Sequence, residues 1–409
     1  MSWEETSLDD CIEFSNGYAF KSKFFTENKN DIPLIKGENL GKGEVLWEKS
    51  KYWKVESLKG LERFLLNVGD IILAMDRPYV GGSLKYAMIK TSDPKALQVQ
   101  RIGRLVAKQS VINEKFLRCV ISSDNFKNYV KNIQGGVGVP HISPSQIKNY
   151  EFNLPPLQTQ KRIANILSGY DNLIENNLKR IKLLEQAAQN IYKEWFVNLR
   201  FPGHENAVIN EESGLPEGWE EKGLCEFTSF KQYKTKIKAY EGEKEYLATA
   251  NVDGIQISER GECFSFDKKP SRAQIAPPLN SVWFARMSNT DKVLCFTENT
   301  NNDLMISSGF AGFKAEKHEF LPFLFCTINN DVFSKLKDSY STGSTQVSIN
   351  NKSINSIRFI EPEIQIMKEF GNKLYPSLEM INKLFVTNKK IKAARDILLP
   401  RLMNRTIEV

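Results

Sequence analysis

The residues of this 409-residue chain best suited to chemistry are cations and hydrogen-bond donors set in loops. Lys231-Gln232-Tyr233-Lys234-Thr235-Lys236-Ile237-Lys238 places four lysines at near-alternating positions with a tyrosine among them. Clustered ammonium groups of this kind suit a phosphate backbone, because they displace its condensed counterions. A solvated edge strand guarded by lysines gives the same pattern. Arg77 and Arg286 each follow a candidate core strand. An arginine at a strand end can grip guanine bidentately or hold phosphate, while an ion pair with Asp76 or Asp291 is the plainer reading. Tyr79, Lys85 and His141 accompany Arg77 as candidate DNA contacts, and Ser288, Asn289 and Lys292 accompany Arg286. The turns Gln134-Gly135-Gly136 and Thr342-Gly343-Ser344-Thr345-Gln346 offer backbone amides and short hydroxyls suited to phosphate, or ordinary helix C-caps.

No catalytic constellation accompanies these groups. His141, His204 and His318 stand far from one another and at no metal-ligand spacing with a cysteine, so zinc is not expected. The chain has no Gly-x-x-x-x-Gly-Lys-Ser/Thr loop, and Gly135-Gly136-Val137-Gly138 follows a helical stretch where a nucleotide cradle would follow a strand. Asn153-Leu154-Pro155-Pro156 lacks the aromatic of the Asn-Pro-Pro-aromatic loop used by amino-methyltransferases and reads as a rigid stop ahead of a helix. The expectation is a binding protein with no catalytic residue, no metal and no cofactor of its own.

Composition fits that expectation. The net charge is +7, yet residues 202–361 carry 18 Lys+Arg against 22 Asp+Glu. Any polyanion bound by that part must therefore meet a local basic patch. The six cysteines are scattered without a Cys-x-x-Cys pair and read as reduced thiols of a cytoplasmic protein. An acidic amino terminus argues against a signal peptide, and no apolar run reaches the roughly 20 residues of a membrane span.

The elements that must position these loops occur twice. A shift of 207 carries Gln158 to Gln365, Gly136 to Gly343, Ile142 to Ile349, Phe152 to Phe359, Pro155 to Pro362 and Ile174 to Ile381. The expected boundaries are a globular domain at 1–155, a helical spacer at 156–201, a linker at 202–217, a second globular domain at 218–361 and a second spacer at 362–409. Each globular part combines short strands, such as Val68–Ala74 and Leu279–Ala285, with a helix at about 114–132 or 318–338, an α/β (α+β) pattern. Each spacer carries a stripe in alternating steps of four and three. The first runs through Ile163, Leu167, Tyr170, Ile174, Asn177, Ile181, Leu184, Ala188, Ile191 and Trp195, with Asn177 its polar member; the second runs through Phe370, Leu374, Ile381, Leu384, Ile391, Leu398 and Leu402, with Asn388 and Arg395 breaking it. Two such helices in one chain pack most simply as an antiparallel coiled coil, giving a pseudo-two-fold repeat. Packing against the chain's own globular parts is the alternative. Pro376 is expected to kink or split the second helix near its start.

The chain resembles the specificity subunits of type I restriction-modification systems. The resemblance lies in Asn153-Leu154-Pro155-Pro156-Leu157-Gln158-x-Gln160-Lys161-Arg162-Ile163, Asp171-x-x-Ile174, Trp195-Phe196, Leu215-Pro216-x-Gly218-Trp219 and Ile397-Leu398-Leu399-Pro400-Arg401-Leu402. The second copy departs from it with Glu361-Pro362-Glu363 in place of the double proline. The resemblance implies two target recognition domains, each reading half of a split, asymmetric double-stranded DNA site. It implies spacer helices that set the gap and dock two modification (methyltransferase) subunits. S-adenosylmethionine, ATP and Mg would sit on the modification and restriction/translocase partners, with adenine N6 as the methylated atom. A stand-alone DNA-modifying enzyme and a coiled-coil protein-binding scaffold are the alternative functions.

Overall fold

The computed structural model describes residues 3–80, 83–133, 140–258, 261–300, 303–343 and 347–409. The chain divides into two compact units, Met1–Leu173 with Ile391–Val409, and Ile174–Lys390. Both contain mixed α and β structure, and the two long helices contribute residues to each. Among the described residues no helix is long and apolar enough to cross a membrane.

In the first unit the strand Ile71–Ala74 is buried throughout. It is the middle strand of a five-stranded sheet ordered Ile12–Asn16, Ile102–Ala107, Ile71–Ala74, Tyr86–Met88, Lys42–Gly43. Side chains alternate across a strand, so Ile71 and Leu73 join the core of Phe116, Val120 and Phe126, while Ile72 and Ala74 join Ile35, Leu40 and Ile102 on the other face. The helix expected over 114–132 is in fact two, Glu114–Ser122 and Asp124–Ile133. Ser123 adopts extended backbone between them. Its Oγ donates to Val120 O and accepts from Phe126 N, ending one helix and capping the next.

Glu4–Ser7 pairs antiparallel with Glu151–Leu154, closing the module on itself. Pro155-Pro156 follows, and the first long helix, Leu157–Tyr192, begins at once. The Gln160 side chain is buried. Its Nε2 donates to Val111 O and Pro155 O, and its Oε1 accepts from Asn113 N, tying the helix start to the module. Ile163, Ala164 and Leu167 share a core with Leu402 of the second long helix, Ile364–Met403. Of the stripe residues in this unit, Ile163, Leu167 and Leu402 are buried, and Tyr170, Ile391 and Leu398 half-buried. Asp171 receives Arg118 at 2.7 Å and Arg395 at 2.6 Å, one guanidinium from the module and one from the second helix.

In the second unit the buried strand Ser281–Ala285 lies in a sheet ordered Phe230–Gln232, Phe310–Ala315, Ser281–Ala285, Val293–Phe296. A second sheet is ordered Glu262–Phe264, Lys244–Leu247, Leu304–Ser307, Ala273–Ile275. Glu220–Gly223 pairs with Arg358–Glu361. The helix expected over 318–338 is again two, Leu321–Ile328 and Asp331–Ser339, because Asn330 is extended and its Oδ1 accepts from Phe333 N.

The second long helix runs unbroken through Pro376, where a break was expected. A proline inside a helix costs about 3 kcal/mol. Phe370, Leu374, Leu378 and Ile381, on both sides of it, are all buried in one core, and at about 1.5–3 kcal/mol for each large apolar side chain that burial outweighs the missing bond. Gly371 admits this packing: a Cβ there would meet Glu319 O at 1.6 Å. The first long helix ends in a π turn, Lys193–Val197. The wider turn lets the adjacent Trp195 and Phe196 both point inward, with ring centroids 5.6 and 4.9 Å from Phe370. Asn177 Nδ2 donates to Asn388 Oδ1 at 2.8 Å. Asn177, Ile181, Trp195, Leu374, Ile381 and Leu384 are buried here, and Ile174, Leu184, Ile191 and Asn388 half-buried.

Candidate nucleic-acid interface

In the first unit the loop after Ala74 is clamped to the stretch Pro140–Ile142. Ile142 N donates to Met75 O at 2.9 Å, and Arg77 N donates to Pro140 O at 2.7 Å. Asp76 Oδ1 lies 2.8 Å from His141 Nδ1, and Asp76 Oδ2 lies 3.7 Å from Arg101 Nε. Arg77 is exposed, on left-handed backbone with φ 45°. Lys85 is half-buried, and burial together with the Arg77 charge holds its ammonium below the usual lysine range. Arg77 and Lys85 thus set two cations beside the end of one strand. Tyr79 sits in the short strand Tyr79–Val80, packed against the core. The unit thus gathers Arg77, Tyr79, Lys85 and His141 around one strand end.

The second unit builds its strand-end loop on the same bonds. Ile349 N donates to Arg286 O at 2.9 Å, and Ser288 N donates to Val347 O at 3.0 Å. These bonds align Met75 with Arg286 and Arg77 with Ser288, so the two arginines are not equivalent. The Arg286 guanidinium turns inward: Nε donates to Phe310 O, Nη1 to Ile349 O and Nη2 to Asn351 Oδ1 at 2.6 Å. Burial lowers its pKa. Ser288 Oγ donates to Val347 O. Asn289, exposed with φ 55°, has its N–H held by the Asp338 carboxylate. Lys292 Nζ donates to Thr249 O at 2.8 Å.

The lysine stretch lies elsewhere. Lys231 pairs in register with Lys314, which faces Ser281 across the sheet, so it is level with the start of the central strand while Arg286 follows its end. Its ammonium meets Glu316 at 2.8 Å. Tyr233 lays its ring edge-on to Trp283, and Lys234 and Lys236 are exposed. Gln134, Gly136, Ser344 and Gln346 lie outside the described residues. Among the described residues no cluster of His, Cys, Asp and Glu could hold a metal ion.

Residues 1–186 match the family model of the type I restriction modification DNA specificity domain. The chain is 32% identical over 189 residues to the type I restriction enzyme MjaVIII specificity subunit of Methanocaldococcus jannaschii, a stretch that takes in 46% of this chain and 44% of that relative. It is 24% identical over 423 residues to the MjaIX specificity subunit of the same organism, covering 98% of this chain and 92% of that one. The family match thus lies in the first half of the chain, and the stretch shared with MjaVIII spans less than half the length of that relative. The chain's fold is that of a solved type I restriction-modification S subunit from M. genitalium, with a TM-score of 0.55 over 98% of this chain and 96% of that one, at 16% identity.

Three residues around the second loop escaped the sequence reading: Lys337, Asp338 and Asn351. One signal was available. Lys337 falls four residues after Phe333 on an inward helix face, and the 207 shift pairs it with Val130, an apolar residue buried in the first module.

Proposed function

We propose that this chain is the specificity subunit of a type I restriction-modification system and recognises a bipartite, asymmetric sequence in double-stranded DNA, each globular half reading one half-site. The two long helices pair as an antiparallel coiled coil that sets the gap and docks two modification subunits, with restriction subunits joining them. The chain works in the cytoplasm and supplies no catalytic residue; S-adenosylmethionine, ATP and Mg belong to its partners.

The observation that carries this reading is the double use of one strand-end clamp. Ile142 N to Met75 O in one half corresponds to Ile349 N to Arg286 O in the other. The correspondence extends outward: Leu8 N donates to Tyr150 O, and Leu224 N to Ile357 O. Ser123 and Asn330 cap equivalent helices, as do Ser143 and Asn350. Two similar readers suit two half-sites. Antiparallel pairing is supported within the second unit, where Asn177 meets Asn388 and the later Trp195 meets the earlier Phe370. A helix of 40 residues is about 60 Å long at 1.5 Å per residue, ample for a gap of one DNA turn of about 34 Å.

The test is a binding titration of the chain with its modification subunit on duplex DNA carrying the methylated host motif, and on the same duplex with one half-site scrambled. Scrambling either half is expected to weaken binding by roughly a thousandfold or more. Equal affinity for all three duplexes would overturn the reading.

A further inference from the structure

The loop Met287–Asp291 is held from one side by the helix Asp331–Ser339. Lys337 is 2% exposed, yet its ammonium sits under the loop and donates to Met287 O at 3.1 Å and to Thr290 O. The next residue, Asp338, accepts the Asn289 N–H on both carboxylate oxygens, at 3.1 and 3.2 Å. One turn earlier, Ser334 Oγ donates to Asp291 Oδ1. Three polar side chains of one helix thus bond to four of the five residues in the loop. A buried ammonium is costly, and burial lowers the Lys337 pKa. That cost is offset only because two carbonyls and the nearby Asp338 carboxylate, at 3.7 Å, face the charge.

The first half holds its loop differently. There the matching helix position is the buried apolar Val130, and the loop is tied by Asp76 to His141 instead. An ordinary core would tolerate Val130 in both halves, so a buried lysine in only one points to a task specific to that loop. Asn289 is exposed on left-handed backbone, a conformation that costs free energy unless the surroundings impose it.

We propose that Lys337 and Asp338 are positioning residues that hold Met287–Asp291 in its DNA-reading shape, and so set the sequence selectivity of the second half. This rests on the DNA-recognition reading and adds the device that shapes one of its two readers. Neither residue touches DNA; Ser288 and Asn289 are the side chains they present.

The test is to express the chain with its modification subunit in a host free of N6-methyladenine and to read the methylated sites by long-read sequencing. Wild type is expected to give one split motif. Asp338→Ala is expected to broaden one half of it, raising the number of accepted sequences there roughly tenfold, while the other half stays unchanged. Asp338→Asn keeps an acceptor for the Asn289 N–H and is expected to restore the wild-type motif. Lys337→Met is expected to broaden the same half, and if it fails to accumulate, the Asp338 pair decides alone. A purely structural role would lower methylation at all sites without broadening either half. That result overturns the proposal, as does an unchanged motif in Asp338→Ala or equal broadening by Asp338→Asn. A wild-type chain that yields no split motif would remove the DNA reading itself, and this inference with it.

Discussion

Asn177 and Asn388 lie 211 positions apart and are joined by one hydrogen bond between the two long helices, 2.8 Å from Nδ2 to Oδ1. Asn177 interrupts the first apolar stripe, Asn388 and Arg395 interrupt the second, and each asparagine bonds to the other. The Asn388 Nδ2 is buried without a partner. Paired asparagines in such a seam fix register at a cost in stability.

Replacing both asparagines by leucine is therefore expected to raise the stability of the helix pair by about 1–3 kcal/mol. Asn177→Leu alone leaves Asn388 with nothing to bond, costing about 1–3 kcal/mol that offsets the apolar gain. A double-mutant cycle by denaturant unfolding checks both. A double variant no more stable than wild type would show that the pair does not lie in a packed seam.

Gly371 sets how closely the second long helix approaches the turn at His318–Phe320. Gly371→Ala puts a methyl group 1.6 Å from Glu319 O, which is backbone and cannot swing away. The helix must shift, and stability is expected to fall by about 2–3 kcal/mol or more. Thermal unfolding reads the change. A melting point within a degree of wild type would mean that the two elements are not in contact.

Arg77 and Arg286 separate by environment. Arg77 is exposed, so Arg77→Ala is expected to leave stability within about 0.5 kcal/mol and to weaken discrimination at one half-site. Arg286→Ala strands Phe310 O, Ile349 O and Asn351, and is expected to cost about 2–3 kcal/mol of folding stability. Melting curves beside half-site binding assays distinguish them. Similar melting losses in both variants would contradict this division.

The thiols report burial. Burial pushes Cys119 up to about 12 and Cys326 above the usual thiol range, while Cys263 is exposed. At pH 8, far below those raised values, neither buried thiol carries useful thiolate. A thiol reagent is expected to modify Cys263 rapidly, and Cys119 and Cys326 only on unfolding. Mass mapping of labelled peptides checks this, and prompt labelling of Cys119 would contradict its burial.

How much was legible follows from what pattern can carry. The long helices were readable because their apolar periodicity persists over ten turns. The breaks at Ser123 and Asn330 were not, since the stripe passes over them and only capping side chains mark them. Pro376 misled because propensity is local and the burial that overrides it is not. Arg286 looked like a reader from its place after a strand, but where a guanidinium points depends on carbonyls more than 20 residues away. Lys337 was invisible to a search for exposed cations, because it is buried.

The most direct measurement is long-read methylation sequencing of host DNA with and without this gene. The account predicts that N6-methyladenine disappears from one motif of two short half-sites about a helical turn apart, and returns on complementation. Unchanged methylation in a host whose modification subunit is active would contradict it.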